Sequence, residues 1–426
     1  DMSVAMNSRI INNIIKSVEN RKEEIINLTR ELIRIRSENP PGDITNVAFY
    51  VKEYLEKNGF SVRPVEPEKG RISLISVLGD GTPTLIFNGH LDTVPAGDPT
   101  KWDVDPYSGT LINNFIYGRG ASDMKAAIAG FIVSFLTLQK YEKHLNGKLK
   151  LIIVPDEESG GTLGTKYLLE NNLGLGDYVL IGEPTGLELI EIGHKGALWI
   201  KLKAYGIPSH GALSPYVGEN AILKIIVAIQ QMINTLIRLE LNIPSEILSS
   251  IDESTEILNR TFAIRGAGEK ILKGITFNVG IIKGGQKINV IPDYCEAEVD
   301  VRFPPGISKE DILAKVRDLL KELKVDYEII GMFDAGYTSP NVTLVRELRE
   351  SVKMILNINP FLYITWATGD SKYYRSKGIP VVNYGPGREG VHEYNERVKV
   401  EDIINATKVY AVTAYRMLSG SRRSIL

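Results

Sequence analysis

The sequence predicts an α/β protein with a central mixed sheet flanked by helices, interrupted by a smaller inserted α+β domain. Two observations predict it. Short continuous apolar runs, Thr84–Phe87, Lys148–Pro155 and Tyr178–Ile181, alternate with segments of helical period, the pattern of strands buried on both faces. Between those runs and the last third of the chain, Phe277–Ile282 and Ile288–Phe303 alternate with period two around Gly284-Gly285, as antiparallel strands with one wet face do.

In chain order, apolar residues at helical spacing predict a helix from about Ile10 to Ile35, ended by Pro40-Pro41, which cannot continue it. A second helix is expected over Asn46–Asn58, with Gly59 as its stop. Strands follow near Ser61–Val65, Ile72–Val77 and Thr84–Phe87, then a long loop or hairpin over Trp102–Gly120. A glycine-rich turn and Asp123 precede a helix over Met124–Tyr141, which places Asp123 at its N-cap. The strand Lys148–Pro155, a helix over Leu163–Glu170 and the strand Tyr178–Ile181 complete this part.

The pattern changes after Gly193–Gly196. Strand Leu198–Tyr205, helix Asn220–Leu239, the two alternating strands, helix Ser308–Leu323 with Ser308 as N-cap, and strand Val325–Ile330 give a β-α-β-β-α-β order. Ile243–Lys273 reads as an insertion of loops and short helices. The α/β pattern resumes with helices Asn341–Leu356, Ser371–Ser376 and Val400–Leu418, and strand Pro380–Asn383. The expected division is residues 1–195 and 334–426 for the larger domain and 196–333 for the insert.

Bulk properties exclude some classes of function. Lys and Arg total 50 against 52 Asp and Glu, a formal net charge of -2, so no basic excess points to nucleic acid or an anionic membrane. The single cysteine, Cys295, excludes an internal disulfide and fits a reducing compartment. No apolar run reads as long enough to span a bilayer, and the N-terminal stretch has no signal-peptide core. The expectation is a cytoplasmic protein that engages neither membrane nor nucleic acid.

The chemistry sits where buried strands end, the edge at which α/β sheets place ligands. Thr84–Phe87 runs into His90 and Asp92; in extended chain these two share a face, so His90 can bind metal while Asp92 orients its ring. Lys148–Pro155 ends in Asp156-Glu157-Glu158, and Tyr178–Ile181 in Glu183. With Asp123 and His392 these residues supply two imidazoles and enough carboxylates for two divalent cations, one acid bridging. Nitrogen and oxygen donors without thiolate suit zinc, with cobalt or manganese as substitutes. A spare carboxylate, Glu157 or Glu158, can take a proton from water and pass it to a leaving amine.

The sequence resembles the co-catalytic zinc amidohydrolases and metallopeptidases that include acetylornithine deacetylase, succinyl-diaminopimelate desuccinylase, glutamate carboxypeptidase and aminoacylase. The resemblance rests on Ser37–Gly42, Gly89–Pro95, Trp102 with Asp105–Tyr107, Gly118–Lys125, Asp156–Glu158, Gly182–Pro184, Ser209–Gly211, Asn289–Pro292 with Arg302, and His392–Glu396. Ala126 stands where that family usually has glycine. The resemblance implies a zinc-peptidase-like catalytic domain and a ferredoxin-like lid and dimerisation domain over Gly196–Phe333. It implies that His90, Asp123 and Glu183 bind one cation, and Asp123, Glu158 and His392 the other. Asp92 then orients His90, Glu157 is the general base, and His210 reaches the partner subunit's site of a homodimer to stabilise an oxyanion. Arg302 and Asn289 become candidates for gripping a substrate carboxylate, with the loops at Thr368–Asp370 and Gly385–Gly387 lining the same pocket. The implied reaction is hydrolysis of the amide of an N-acyl amino acid, N-succinyl or N-acetyl; the alternative is a carboxypeptidase or dipeptidase using the same dinuclear site.

Overall fold

The computed structural model describes residues 2–262, 264 and 266–420. The chain divides into two compact units: residues 1–192, 338–362 and 369–426 form the first, and residues 193–337 with 363–368 the second.

In the first unit the strands run in the spatial order Val62–Glu68, Arg71–Gly79, Lys148–Val154, Thr84–His90, Tyr178–Ile181, Val381–Asn383 and then Leu189–His194. Thr84–His90 is parallel to both its neighbours, with His90 opposite Val154 and Asn88 opposite Ile181. That register brings three strand ends to one edge. The turns after them carry Asp92, Glu157 with Glu158, and Glu183.

Helix Ala126–Gln139 lies in the core and is apolar on every side; residues Ala126–Leu138 are all buried, as expected of a helix covered all round. Phe131 stacks on Phe87 with centroids 4.6 Å apart and meets Tyr410 at 4.5 Å. Truncating Phe131 to alanine would cost about 3–5 kcal/mol. The helix approaches the sheet at two glycines: a Cβ on Gly89 would lie 2.5 Å from Ile128 Cδ1, and one on Gly182 2.6 Å from Ala127 Cβ. Those glycines let the segment bearing Asp123 sit against the strands that lead to His90 and Glu183.

The second unit has a four-stranded antiparallel sheet, ordered Thr276–Gly284, Tyr294–Phe303, Gly196–Tyr205 and Asp326–Phe333. Helices Ala221–Leu236 and Lys309–Glu322 pack on one face around Leu198, Ile200, Val299 and Val301. Chain order and strand order together are those of a ferredoxin-like domain. Ser308 Oγ accepts from Asp311 N at 3.1 Å, so the expected cap is present. Cys295 is buried in this core.

Several elements depart from the sequence expectation. The helix expected over Ile10–Ile35 is two, Met2–Asn20 and Lys22–Arg34, parted at Arg21, whose amide bonds back only to Val18 O. The strand expected from Ile288 begins at Tyr294; Pro292 has no N–H to give to a ladder. Ile243–Lys273 is largely helical, with Leu248–Phe262 and Ala267–Lys273, Ala263 and Arg265 lying outside the described residues. The strands Leu189–His194 and Phe361–Thr365 were not anticipated. Ala121–Gln139 is, by length and composition, apolar enough to cross a membrane, contrary to the reading above. It is wholly buried within the fold, which is why it is so apolar.

Candidate active site

Asp123 is not a helix cap. It lies in a π-type turn, Ala121–Lys125, with φ -121° and ψ 92°, and the helix proper starts at Ala126. The extended backbone turns its carboxylate out of the helix and between two imidazoles. Asp123 Oδ1 is 3.1 Å from His90 Nε2, and Oδ2 is 3.3 Å from His392 Nε2. Glu183 Oε1 stands 3.5 Å from His90 Nε2, and Glu158 Oε1 3.3 Å from His392 Nε2. Two triads result, His90–Asp123–Glu183 and Asp123–Glu158–His392, each with donor atoms within 4.8 Å of one another and sharing Asp123. His392 reaches its place from a left-handed backbone, φ 61°.

These groups fit a pair of divalent cations. All donors are imidazole nitrogen or carboxylate oxygen, the set that suits zinc and similar ions. Glu183 Oε1 is buried without a hydrogen-bond partner among the described residues, a costly state for a carboxylate unless a cation is its intended neighbour.

The sequence profile of Peptidase family M20/M25/M40 matches residues 86–416. The chain belongs to that family. An uncharacterized metallohydrolase of Methanocaldococcus jannaschii is 30% identical over 91% of this chain and 98% of its own length. A succinyl-diaminopimelate desuccinylase of Rhodospirillum centenum is 28% identical over 93% of this chain and 98% of its own. Among solved structures, an M20 family metallo-carboxypeptidase from Sulfolobus solfataricus superposes with a TM-score of 0.77, covering 93% of this chain and 99% of that one at 24% identity. The M20 chain is therefore a hydrolytic enzyme with residues able to hold metal, built on a mixed sheet flanked by helices.

Asp92 organises the M20 site. His90 Nδ1 meets the Asp92 backbone carbonyl at 2.9 Å, with the carboxylate Oδ1 3.2 Å away. The same oxygen accepts from Glu157 N at 3.2 Å, and Oδ2 accepts from Glu158 N at 3.1 Å. One buried acid thus fixes an imidazole and both following glutamates. Glu157 Oε2 is 3.9 Å from His90 Nε2; it belongs to neither of the two triads above but forms a third close group with His90 and Glu158.

The electrostatics follow from packing acids together out of water. Burial, reinforced by the Glu183 charge, raises the Glu157 carboxyl well above the usual range. Burial raises Glu183 to about 7, His90 pulling the other way. Hydrogen bonds to Asp123 and Glu158 raise His392 to about 10. Burial works against protonation of His90, but Glu183, Asp123 and Asp92 lift it well above the ordinary imidazole value. The cluster draws positive charge onto its histidines.

Two residues support the site from outside the triads. Asn39 Nδ2 donates to Asp92 Oδ2 at 2.9 Å and to Ser159 Oγ at 2.9 Å, joining the Pro-rich turn to the glutamate turn. Glu396, buried, accepts from Arg119 Nη1 at 3.0 Å and from Ser122 N at 3.1 Å. It thereby clamps the turn bearing Asp123 to the segment bearing His392. Both lie within the quoted motifs, but their partners are far away in sequence.

The other expected residues divide between the units. Gly369 belongs to the first; a Cβ there would lie 3.0 Å from Glu157 Oε1. In the second unit, His210 is exposed and accepts from Ala212 N through Nδ1. Its segment pairs with that of Asn289, Gly211 N donating to Asn289 O at 2.8 Å. Arg302 lies on the face of its strand opposite the buried Val301 and Phe303, and Thr368 Oγ1 is buried without a partner among the described residues. His144 ends a short turn, and His194 is buried with Nε2 3.1 Å from Asp334 O.

Proposed function

We propose that this enzyme hydrolyses the amide bond of an N-acyl amino acid, N-succinyl or N-acetyl, beside a free carboxylate. The observation that carries the reading is two nitrogen-and-oxygen triads sharing Asp123, with Glu157 beside them, outside both and grouped only with His90 and Glu158. Two divalent cations, zinc by donor chemistry, would polarise the amide carbonyl and acidify water at this site. Glu157 takes a proton from that water and gives it to the departing amine nitrogen. Its place supports the role: the carboxylate lies 3.9 Å from His90 Nε2, beside the cation-holding groups, and burial pushes its affinity for a proton up. Asp92 holds His90 and the Glu157 backbone in register.

The proposal extends to the second unit as a lid. Arg302 and Asn289 hold the substrate carboxylate, and His210, contributed by the partner of a homodimer, stabilises the oxyanion. A cytoplasmic setting completes the reading. Similarity to a desuccinylase over nearly the whole chain supports deacylation. The test is amine release from N-succinyl, N-acetyl and dipeptide substrates with zinc, cobalt and manganese in turn. Cleavage of acyl amino acids in preference to dipeptides supports the reading, cleavage of dipeptides alone makes the enzyme a peptidase, and cleavage of none overturns it.

A further inference from the structure

The second unit contains an open cavity of about 500 Å³ that joins a cation to an apolar wall, within the size range of small-molecule sites, roughly 300–1,000 Å³. The polar side is Arg302 with its partner Asp300 and Asn278, the apolar side Ile271, Phe277 and Trp366.

Arg302 is held in a defined orientation. Its Nε donates to Asp300 Oδ1 at 2.7 Å, and Trp199 Nε1 donates to the same oxygen at 2.9 Å. The guanidinium carbon lies 5.5 Å from the Trp199 ring centroid. Its two terminal nitrogens have no hydrogen-bond partner among the described residues, which leaves a fork shaped for a carboxylate.

The helical segment within Ile243–Lys273 supplies Ile271 to the apolar side and supports the rest of it. Lys195, buried, donates through Nζ to Ile271 O, to Gly274 O at 3.0 Å and to Thr276 Oγ1 at 3.3 Å. It fixes the end of helix Ala267–Lys273 beside the first residue of the sheet's edge strand. Ser254 Oγ accepts from Ile364 N at 2.9 Å, which joins helix Leu248–Phe262 to the strip bearing Trp366. Phe262 then meets Trp366 edge-on at 5.5 Å. Trp366 is 37% exposed and Phe262 54%. Aromatic surface left wet beside a prepared cation is surface a ligand can cover.

We infer that this cavity sets specificity: it takes an aromatic or large branched apolar side chain carried on the carbon next to a carboxylate. Preferred substrates are then N-acyl derivatives of aromatic and large aliphatic amino acids. Covering the wall removes apolar area from water, whereas a glycine leaves it wet and a lysine-like side chain would lay its charge against the apolar wall at a desolvation cost. The reaction named here rests on the proposed function; the binding preference does not.

The test uses N-acetylphenylalanine, N-acetylglycine and N-acetyllysine. Calorimetric titration of the full-length protein, with and without added zinc, should show N-acetylphenylalanine binding at least tenfold tighter than the other two. Trp366→Ala should erase that preference by weakening N-acetylphenylalanine alone, Trp366→Leu should restore part of it, and Arg302→Met should weaken all three together. Circular dichroism checks that each variant folds. Equal binding of the three compounds by wild type, or equal loss of all three in Trp366→Ala, overturns the inference. If the preference appears but none of the compounds is hydrolysed by the zinc-loaded enzyme, the cavity assignment stands and the proposed reaction fails. If all three are cleaved with equal kcat/KM, the reaction stands and the cavity assignment fails.

Discussion

The carboxylate of Asp92 accepts a hydrogen bond from the backbone N–H of Glu157 at 3.2 Å while facing the ring of His90 with the same oxygen. The Asp92 carboxylate is therefore shared between a proposed ligand and the proposed base. Asp92→Asn replaces an acceptor by a donor on one side, so it must break either the His90 contact or one of the two glutamate amide bonds. Cation affinity should fall about 10- to 100-fold, measured by competition with a chromophoric chelator. Unchanged affinity would mean that the Asp92 backbone carbonyl, 2.9 Å from His90 Nδ1 and kept in the variant, holds the ring by itself.

Glu157→Gln keeps size and shape but cannot take a proton. Turnover should drop roughly 100- to 10,000-fold, while elemental analysis still finds two cations per chain. Glu158→Gln should instead lower the cation content, because Glu158 and not Glu157 pairs with His392.

Gly369→Ala tests crowding behind the base. The new methyl would lie 3.0 Å from Glu157 Oε1, so the carboxylate has to move. The expected result is a fall in kcat on the order of 10- to 100-fold with an unchanged thermal midpoint. A large loss of stability would show that the loop, not the base, takes up the strain.

Removing the cations should destabilise the first unit, since Asp123, Glu158 and Glu183 would keep their mutual repulsion with only His90 and His392 left to offset it. A cation present at about 1,000 times its Kd stabilises by about 4 kcal/mol. Calorimetry with and without chelator should show the melting temperature falling on removal and returning on re-addition of zinc.

A separate pH effect comes from Glu191, away from the cluster. Burial raises it to about 7, against Arg375 and the hydrogen bond from Asn383. The folded state then holds a proton that the unfolded state has released, so stability should decline as pH rises from about 4.5 to 7. The slope is about 1.4 kcal/mol per pH unit while the two states differ by a full proton. Glu191→Gln should flatten that decline in urea titrations; an unchanged slope would assign it elsewhere.

Much of the site was legible because strand ends announce themselves. His90, Asp92, Glu157, Glu158 and Glu183 each follow an apolar run of strand-forming residues, and parallel register brings those ends together. Asp123 was found for the wrong local reason, since pattern reading extends a helix backward and cannot see the turn where the chain leaves it. Asn39 and Glu396 were invisible as supports because their partners lie far away along the chain. Strand Leu189–His194 escaped notice because Glu191 and Gly193 interrupt its apolar run, and the break at Arg21 because the helical period carries across it. Strand-end reasoning left Glu157 and Glu158 open, and the family resemblance made the choice; which of the two meets His392 at 3.3 Å is a contact that spacing does not encode.

His90 and His392 bracket most of the polypeptide, yet Asp123 needs both on either side of it. During synthesis the second triad cannot close until His392 has left the ribosome, so early fragments can present His90, Asp123 and Glu183 but never the whole cluster. Both triads can close only in a chain made at least as far as His392, and products cut short of it lack the second triad.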